Sequence, residues 1–284
     1  MDYMEFYKLN NQPFTNAVDN RFYYNSSQHS EALVRLKYTA STRKGLALLV
    51  GDIGTGKTTL ARRVLDEMDE SEYEAALLVI IHSSVTAEWL IRKIAIQIGV
   101  QDPSEEKVEL LSQLYRRLLE LYEGGKKVVV LIDEAQMLKG KEIMEEFRGL
   151  LNMEVPDGKL VTFIFFALPE IDENLSLDEP LKQRIAFRYS LHSFQETTTK
   201  EYIKHRLHIA GCDGELFTDK SLSAVHKYAK GIPRLINTIC DNALLEGFLV
   251  KRKVIDEDVI TNVANDLGLT ANTVTPRPEG RGIF

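Results

Sequence analysis

The sequence predicts an α/β domain, with a parallel sheet covered by helices on both faces, followed by an all-helical domain. Three observations carry this. Short continuous apolar runs alternate with helical stretches from Gly45 to about Ser190, as strands buried on both faces do. The first run closes on a glycine-rich loop that opens a helix. After about Ser190 the apolar runs cease and only helical periodicity remains. A chain of 284 residues suits one large or two modest domains at roughly 150 residues each.

The elements follow in order. Residues 1–44 form an aromatic leader, with Phe6, Tyr7, Phe14, Phe22, Tyr23 and Tyr24, and a helix from Ser30 marked by Leu33, Leu36 and Ala40; this segment is expected to pack on the core. The α/β domain spans 45–192. Gly45–Val50 reads as a buried strand, and Leu60, Val64, Leu65 and Met68 set the helical spacing after it. The strand AALLVIIH, the helix AEWLIRKIAIQIGV and a second, long helix come next. The long helix carries Val108, Leu111, Tyr115, Leu118 and Tyr122 on one face, with Ser104 as N-cap and a stop at Gly124 and Gly125. The strand KVVVLIDE, a helix with Met144, Phe147, Leu150 and Leu151 facing the core, and the strand LVTFIFFAL complete the alternation; Trp89 and Leu90 are also expected in the core. Residues 193–267 read as four helices, Thr197–Ala210, Thr218–Lys230, Pro233–Phe248 and Asp256–Leu267, and residues 268–284 as a disordered tail.

Composition narrows the function. Lys and Arg total 35 against 42 Asp and Glu, a net charge of -7, which does not favour a protein that coats nucleic acid, although a local basic patch stays open. Cys212 and Cys240 stand far apart with no metal-ligand spacing, so neither a zinc site nor a disulfide framework is supported, and a reduced cytosolic setting is the default. The N-terminus has no signal-peptide pattern, and no stretch approaches the roughly 18 to 20 apolar residues of a membrane span.

Gly51, Asp52, Ile53, Gly54, Thr55, Gly56, Lys57 and Thr58 fit the phosphate-loop pattern without a gap, between a strand and a helix, and Thr59 continues it. Glycines at these spacings let backbone N–H groups turn inward around phosphate oxygens, and the following helix adds its positive end. Lys57 would reach the outer phosphates and the Thr58 hydroxyl would ligate Mg²⁺. The strand KVVVLID ends in Asp133 and Glu134 where ligands collect on a parallel sheet. Asp133 would hold Mg²⁺ through its water shell, and Glu134 would orient or deprotonate an attacking water. The ligand this implies is a nucleoside triphosphate with Mg²⁺.

The stretches FYKLNNQPF, FYYNSSQHSEAL, GDIGTGKTTL, LIDEAQML, EIMEEFRGLLNME, LKQRI, EYIKHRLHIAG and GIPRLIN, in that order, resemble the ExeA/GspA-like branch of AAA+ ATPases over roughly residues 1–266. Members of that branch assist secretion-system or type IV pilus assembly at the inner membrane, and transposition ATPases are relatives. The resemblance implies a five-stranded P-loop sheet with a helical lid, ATP and Mg²⁺ as cofactors, and a homo-oligomer, a ring among its forms, in which a neighbouring subunit completes the site. Arg184 matches the arginine finger given in trans, with Arg188 as rival donor; the other reading is a surface arginine paired with Asp178 or Glu179. Arg234 resembles the lid arginine that reports the γ-phosphate.

Two positions depart from the branch. Leu168 stands where relatives carry a polar residue after the fourth strand, which puts that sensing role in doubt and favours slow hydrolysis. His82 stands where relatives often carry asparagine, either gating Glu134 or satisfying local backbone. The better-known secretion members continue into a transmembrane helix and a peptidoglycan-binding domain. This sequence stops soon after the lid, so the expectation is a cytoplasmic ATPase that docks onto membrane-bound assembly proteins. A DNA-bound transposition regulator and a nucleotide-dependent interaction module with negligible turnover are the alternatives.

Overall fold

The computed structural model describes residues 2–212 and 214–269; from residue 270 on, the expected disordered tail lies outside the described residues. The chain forms two compact units, one of Val18–Ser193 and one of Met1–Ala17 with the residues from Phe194 onward.

The α/β unit is a five-stranded parallel sheet. Its strands are β1 (Leu46–Gly51), β2 (Tyr73–Val79), β3 (Lys127–Asp133), β6 (Val161–Ala167) and β7 (Ile185–Leu191), in the spatial order β2-β3-β6-β1-β7. A two-stranded hairpin, β4 (Glu154–Val155) with β5 (Gly158–Lys159), precedes β6. The central strands are continuous apolar runs because both faces of each are covered. Leu46, Leu48 and Val50 of β1 enter one core with Val128, Val130, Ile132, Phe163 and Phe165, while Ala47 and Leu49 enter a second core with Val129, Leu131, Ile164 and Phe166.

Helices α2 (Ser27–Ser41) and α3 (Lys57–Asp66) cover the second core; α4 (Ala87–Gln97), α5 (Lys107–Glu123) and α6 (Lys141–Leu150) cover the first. Two short helices, α7 (Ile171–Leu175) and α8 (Glu179–Lys182), follow β6. Met144, Phe147, Leu150 and Leu151 are all buried as the spacing requires, and Phe147 stands edge-on to Phe163 and Phe165 at ring-centroid distances of 5.0 and 4.8 Å.

Three sequence readings differ from the structure here. The buried face of α5 is Leu110, Leu114, Leu118 and Leu121, and Val108 and Tyr115 point to solvent. Glu106, not Ser104, caps α5, its carboxylate accepting the Glu109 N–H, while the Ser104 hydroxyl accepts the Glu106 N–H one turn earlier. Trp89 is 37% exposed beside a fully buried Leu90, because α4 turns only the Leu90, Ile91, Ile94 and Ala95 face inward.

The helical unit contains α1 (Tyr3–Tyr7), α9 (Glu196–Ile209), α10 (Asp219–Ala229), α11 (Pro233–Leu249) and α12 (Glu257–Asp266). Thr218 and Asp256 cap α10 and α12 with their side-chain oxygens, as residues of those types do at helix starts. The start of the leader belongs to this unit and not to the α/β core on which it is expected to pack. Tyr3 donates to Asp241 at 2.9 Å, Tyr7 donates to the Arg252 carbonyl at 2.9 Å, and Phe6 meets Phe248 edge-on. Arg206, buried at 6% exposure, donates to the Pro13 and Thr15 carbonyls. The long apolar and aromatic spacing of the leader signals packing without saying against which unit.

Candidate nucleotide-binding site

The loop from Gly51 to Thr58 leaves the C-terminal end of β1 and opens α3, whose first residue is Lys57. Gly56 has φ +104°, a left-handed conformation that side chains resist, and a Cβ there would lie 2.8 Å from Nε2 of His29. Lys57 is 6% exposed, and its ammonium donates to the Gly51 carbonyl at 2.8 Å and the Asp52 carbonyl at 3.0 Å. Thr55 Oγ1 closes the turn by donating to the Asp52 carbonyl at 2.9 Å.

The parallel pairing carries β3 to the same sheet edge. Asp133 is 1% exposed; Thr58 Oγ1 donates to its Oδ2 at 2.7 Å and the Glu134 N–H donates to its Oδ1 at 3.0 Å. Burial raises the Asp133 carboxyl above its ordinary pKa, against the opposing effect of those two hydrogen bonds. A hydroxyl touching a carboxylate is a donor set of the kind Mg²⁺ uses beside phosphate oxygens and water. Among the described residues no group of three or more His, Cys, Asp or Glu is placed to hold a metal ion by itself.

Glu134 has left-handed backbone, φ 56° and ψ 36°, uncommon outside glycine and costly enough to need support. Its carboxylate accepts Nε2 of Gln136 at 2.6 Å. His82 is exposed past the end of β2, so in this structure Gln136 rather than His82 engages Glu134. Leu168, at the end of β6, offers no polar side chain, but its backbone N–H donates to Oε1 of Gln136 at 3.0 Å.

Arg184 sits at the far end of the sheet. Ile185 pairs with Leu46 and Leu191 with Gly51, so the length of β1, about 20 Å, separates Arg184 from the phosphate loop of its own chain. Its guanidinium donates to the Arg148 carbonyl at 2.8 Å, and neither Asp178 nor Glu179 is its partner: Arg148 binds Asp178 at 2.9 Å, and Lys182 lies 3.6 Å from Glu179. Arg188 is held by Asp172 through two hydrogen bonds of 2.6 and 2.8 Å. Arg234 lies in the helical unit, exposed at the second residue of α11.

Two residues near the loop escape sequence reading. Gln136 is one. The other is His29 on α2, 4% exposed, with Nδ1 2.7 Å from Ser26 Oγ and a hydrogen bond to the Thr55 backbone. Burial pushes its imidazole down to about 4, with the Thr55 bond partly opposing, against an ordinary value of 6.5. Between those two pH values the unfolded chain binds the proton and the folded chain does not, so folded stability falls as pH drops through that window. The expected loss is roughly 3 kcal/mol, complete below the lower value. Urea unfolding followed by the fluorescence of Trp89, the one tryptophan, should show that slope in wild type and a shallower one in His29→Gln, where His226, also lowered by burial, still contributes.

With this geometry in view, comparison with known proteins is specific. The fold and the loop define a P-loop nucleotide-binding protein of the AAA+ class, and a family model described as an AAA domain matches residues 40–175. General secretion pathway protein A of Aeromonas hydrophila is 36% identical over 250 residues, which cover 87% of this chain and 45% of that protein. The chain resembles the ExeA/GspA-like branch of AAA+ proteins over most of its length. It spans under half the length of that curated relative.

Solved structures agree on the fold. The Aeropyrum pernix ORC2 protein in its ADPNP-ADP complexes superposes with a TM-score of 0.68 at 17% identity, covering 90% of this chain and 72% of that one. Drosophila ORC bound to DNA gives 0.69 at 15%, covering 95% and 67%. Cdc6p of Pyrobaculum aerophilum gives 0.67 at 18%, covering 89% and 70%.

Proposed function

We propose that the chain is a Mg²⁺-dependent ATPase that works as a homo-oligomer, with Arg184 of one subunit serving the site of the next, and that it assists assembly of an envelope machine of the secretion or type IV pilus kind. The observation that carries the chemistry is the contact of Thr58 with Asp133 beside the phosphate loop, with Glu134 one residue on. Lys57 and the loop from Gly51 to Thr59 would bind the phosphates, Thr58 and Asp133 would hold Mg²⁺, and Glu134 would accept the proton of the attacking water. Bound Mg²⁺ would supply charge neutralisation at the phosphates.

The distance of Arg184 from its own loop supports the trans reading, since a group at that end of the sheet can serve only another subunit's site. Arg234, at the start of α11 in the helical unit, is the residue to which the family resemblance assigns γ-phosphate sensing. The secretion-related part rests on the likeness to general secretion pathway protein A. Among the described residues no helix is long and apolar enough to cross a membrane; the proposal places the protein in the cytoplasm, brought to the inner membrane by membrane-bound assembly partners.

The test is the ATP hydrolysis rate per subunit against protein concentration, with and without duplex DNA at low salt. A rate that rises with concentration and ignores DNA is the expected result. A concentration-independent rate would remove the trans finger, strong DNA stimulation would favour a transposition-type regulator, and negligible turnover with tight binding would leave an interaction module.

A further inference from the structure

The side chain of Gln136 joins two elements at the C-terminal edge of the sheet. Its Oε1 accepts the Leu168 N–H at 3.0 Å and its Nε2 donates to Glu134 Oε2 at 2.6 Å. Chemistry fixes which way the amide points: a backbone N–H only donates, so the oxygen faces Leu168 and the NH₂ is left for the carboxylate. The residue is 8% exposed, and its own carbonyl accepts Asn174 Nδ2 at 2.8 Å, so both its backbone and its side chain are pinned. Among the described residues Gln136 is the hydrogen-bond partner of the Glu134 carboxylate.

We infer that Gln136 is a positioning residue for Glu134, and that it couples the end of β6 to the water-activating carboxylate through the Leu168 N–H. This rests on the reading of Glu134 as that group. A carboxylate on a left-handed residue beside an open sheet edge has several staggered positions available, and one charge-assisted hydrogen bond from a buried amide selects one of them. The same amide relays any displacement at the end of β6 to Glu134 through two hydrogen bonds. The donor at 168 is backbone, so the relay works with a leucine side chain.

The experiment uses the full chain as wild type, Gln136→Glu, Glu134→Gln and the double variant. kcat and KM for MgATP, affinity for a fluorescent ATP analogue and the melting temperature are measured, with the rates taken from mildly acidic to alkaline pH. Gln136→Glu keeps an oxygen for the Leu168 N–H but loses the N–H that Glu134 accepts. The expected result is a kcat lowered on the order of 10- to 100-fold with nucleotide affinity held, alongside some loss of melting temperature from the second carboxylate placed beside Glu134.

The deficit should be greatest at alkaline pH and shrink in acid, where a protonated Glu at 136 can donate again. The double variant should be no slower than Glu134→Gln alone. Turnover of Gln136→Glu within about twofold of wild type, or a loss that multiplies onto Glu134→Gln, overturns the inference while leaving the ATPase reading intact. Wild type without turnover overturns both. Should Gln136→Glu fail to fold, Gln136→Met, which keeps the volume and removes both polar contacts, is judged by the same rate, affinity and non-additivity criteria.

Discussion

Alanine at Arg184 is expected to lower ATP turnover per subunit by about 10³- to 10⁵-fold while nucleotide binding is retained. Arg184 precedes β7 at the edge of the sheet opposite Gly51, and its present hydrogen bond is to the Arg148 carbonyl, a neutral acceptor that a guanidinium can exchange for a phosphate. Removing it costs the fold one exposed-to-half-buried hydrogen bond, about 1 kcal/mol, while a neighbour's site loses the cation that offsets charge in the transition state. Mixing supplies the decisive measurement. Arg184→Ala subunits retain their own Glu134, and Glu134→Gln subunits retain their own Arg184, so a mixture should regain activity that neither has alone. No recovery on mixing, or loss of nucleotide binding by Arg184→Ala, would count against a finger in trans.

The second large effect is expected at Glu134. Glutamine there should lower kcat by roughly 10²- to 10⁴-fold and leave ATP bound. The amide has the shape of the carboxylate and keeps an oxygen for Nε2 of Gln136, so the strained turn after β3 survives; only the proton acceptor is lost. Single-turnover hydrolysis and nucleotide retention on the same protein separate the outcomes. Hydrolysis at the wild-type rate would show that another group takes the proton, and Asp133, buried and bonded to Thr58, would be the next residue to test.

The three inner strands, β1, β3 and β6, are legible because burial on both faces writes an unbroken apolar run into each, and β2, a half-buried edge strand, is legible from its own short apolar run. β7 was not legible from its residues. It is an edge strand that alternates Phe187 and Tyr189, packed toward α2, with exposed Ala186, Arg188 and Ser190, so its apolar residues never run together. The family resemblance, not the periodicity, supplied a fifth strand. On α5, residues at two neighbouring helical stripes are both apolar, and only packing against α4 and β3 selects Leu110 and Leu114 over Val108 and Tyr115.

The site divides the same way. The phosphate loop is readable because its chemistry lies in consecutive backbone N–H groups whose demands fall on adjacent residues. Asp133 and Glu134 are readable because a strand end locates them. Gln136 and His29 are not, since each acts through a residue brought near by folding: Leu168 lies thirty-two positions from Gln136, and Thr55 lies on a separate element from His29. Nothing in local spacing separates such a glutamine or histidine from one that faces solvent.

The ammonium of Lys57 has a thermodynamic consequence of its own. It is buried and already held by the Gly51 and Asp52 carbonyls, so neither its hydration shell nor its rotamers remain to be surrendered when a triphosphate arrives. Association then amounts to swapping neutral acceptors for anionic ones inside a finished cradle. Encounter, rather than ordering of Lys57, should then set the on-rate, and that rate should change with ionic strength as encounters between charged groups do.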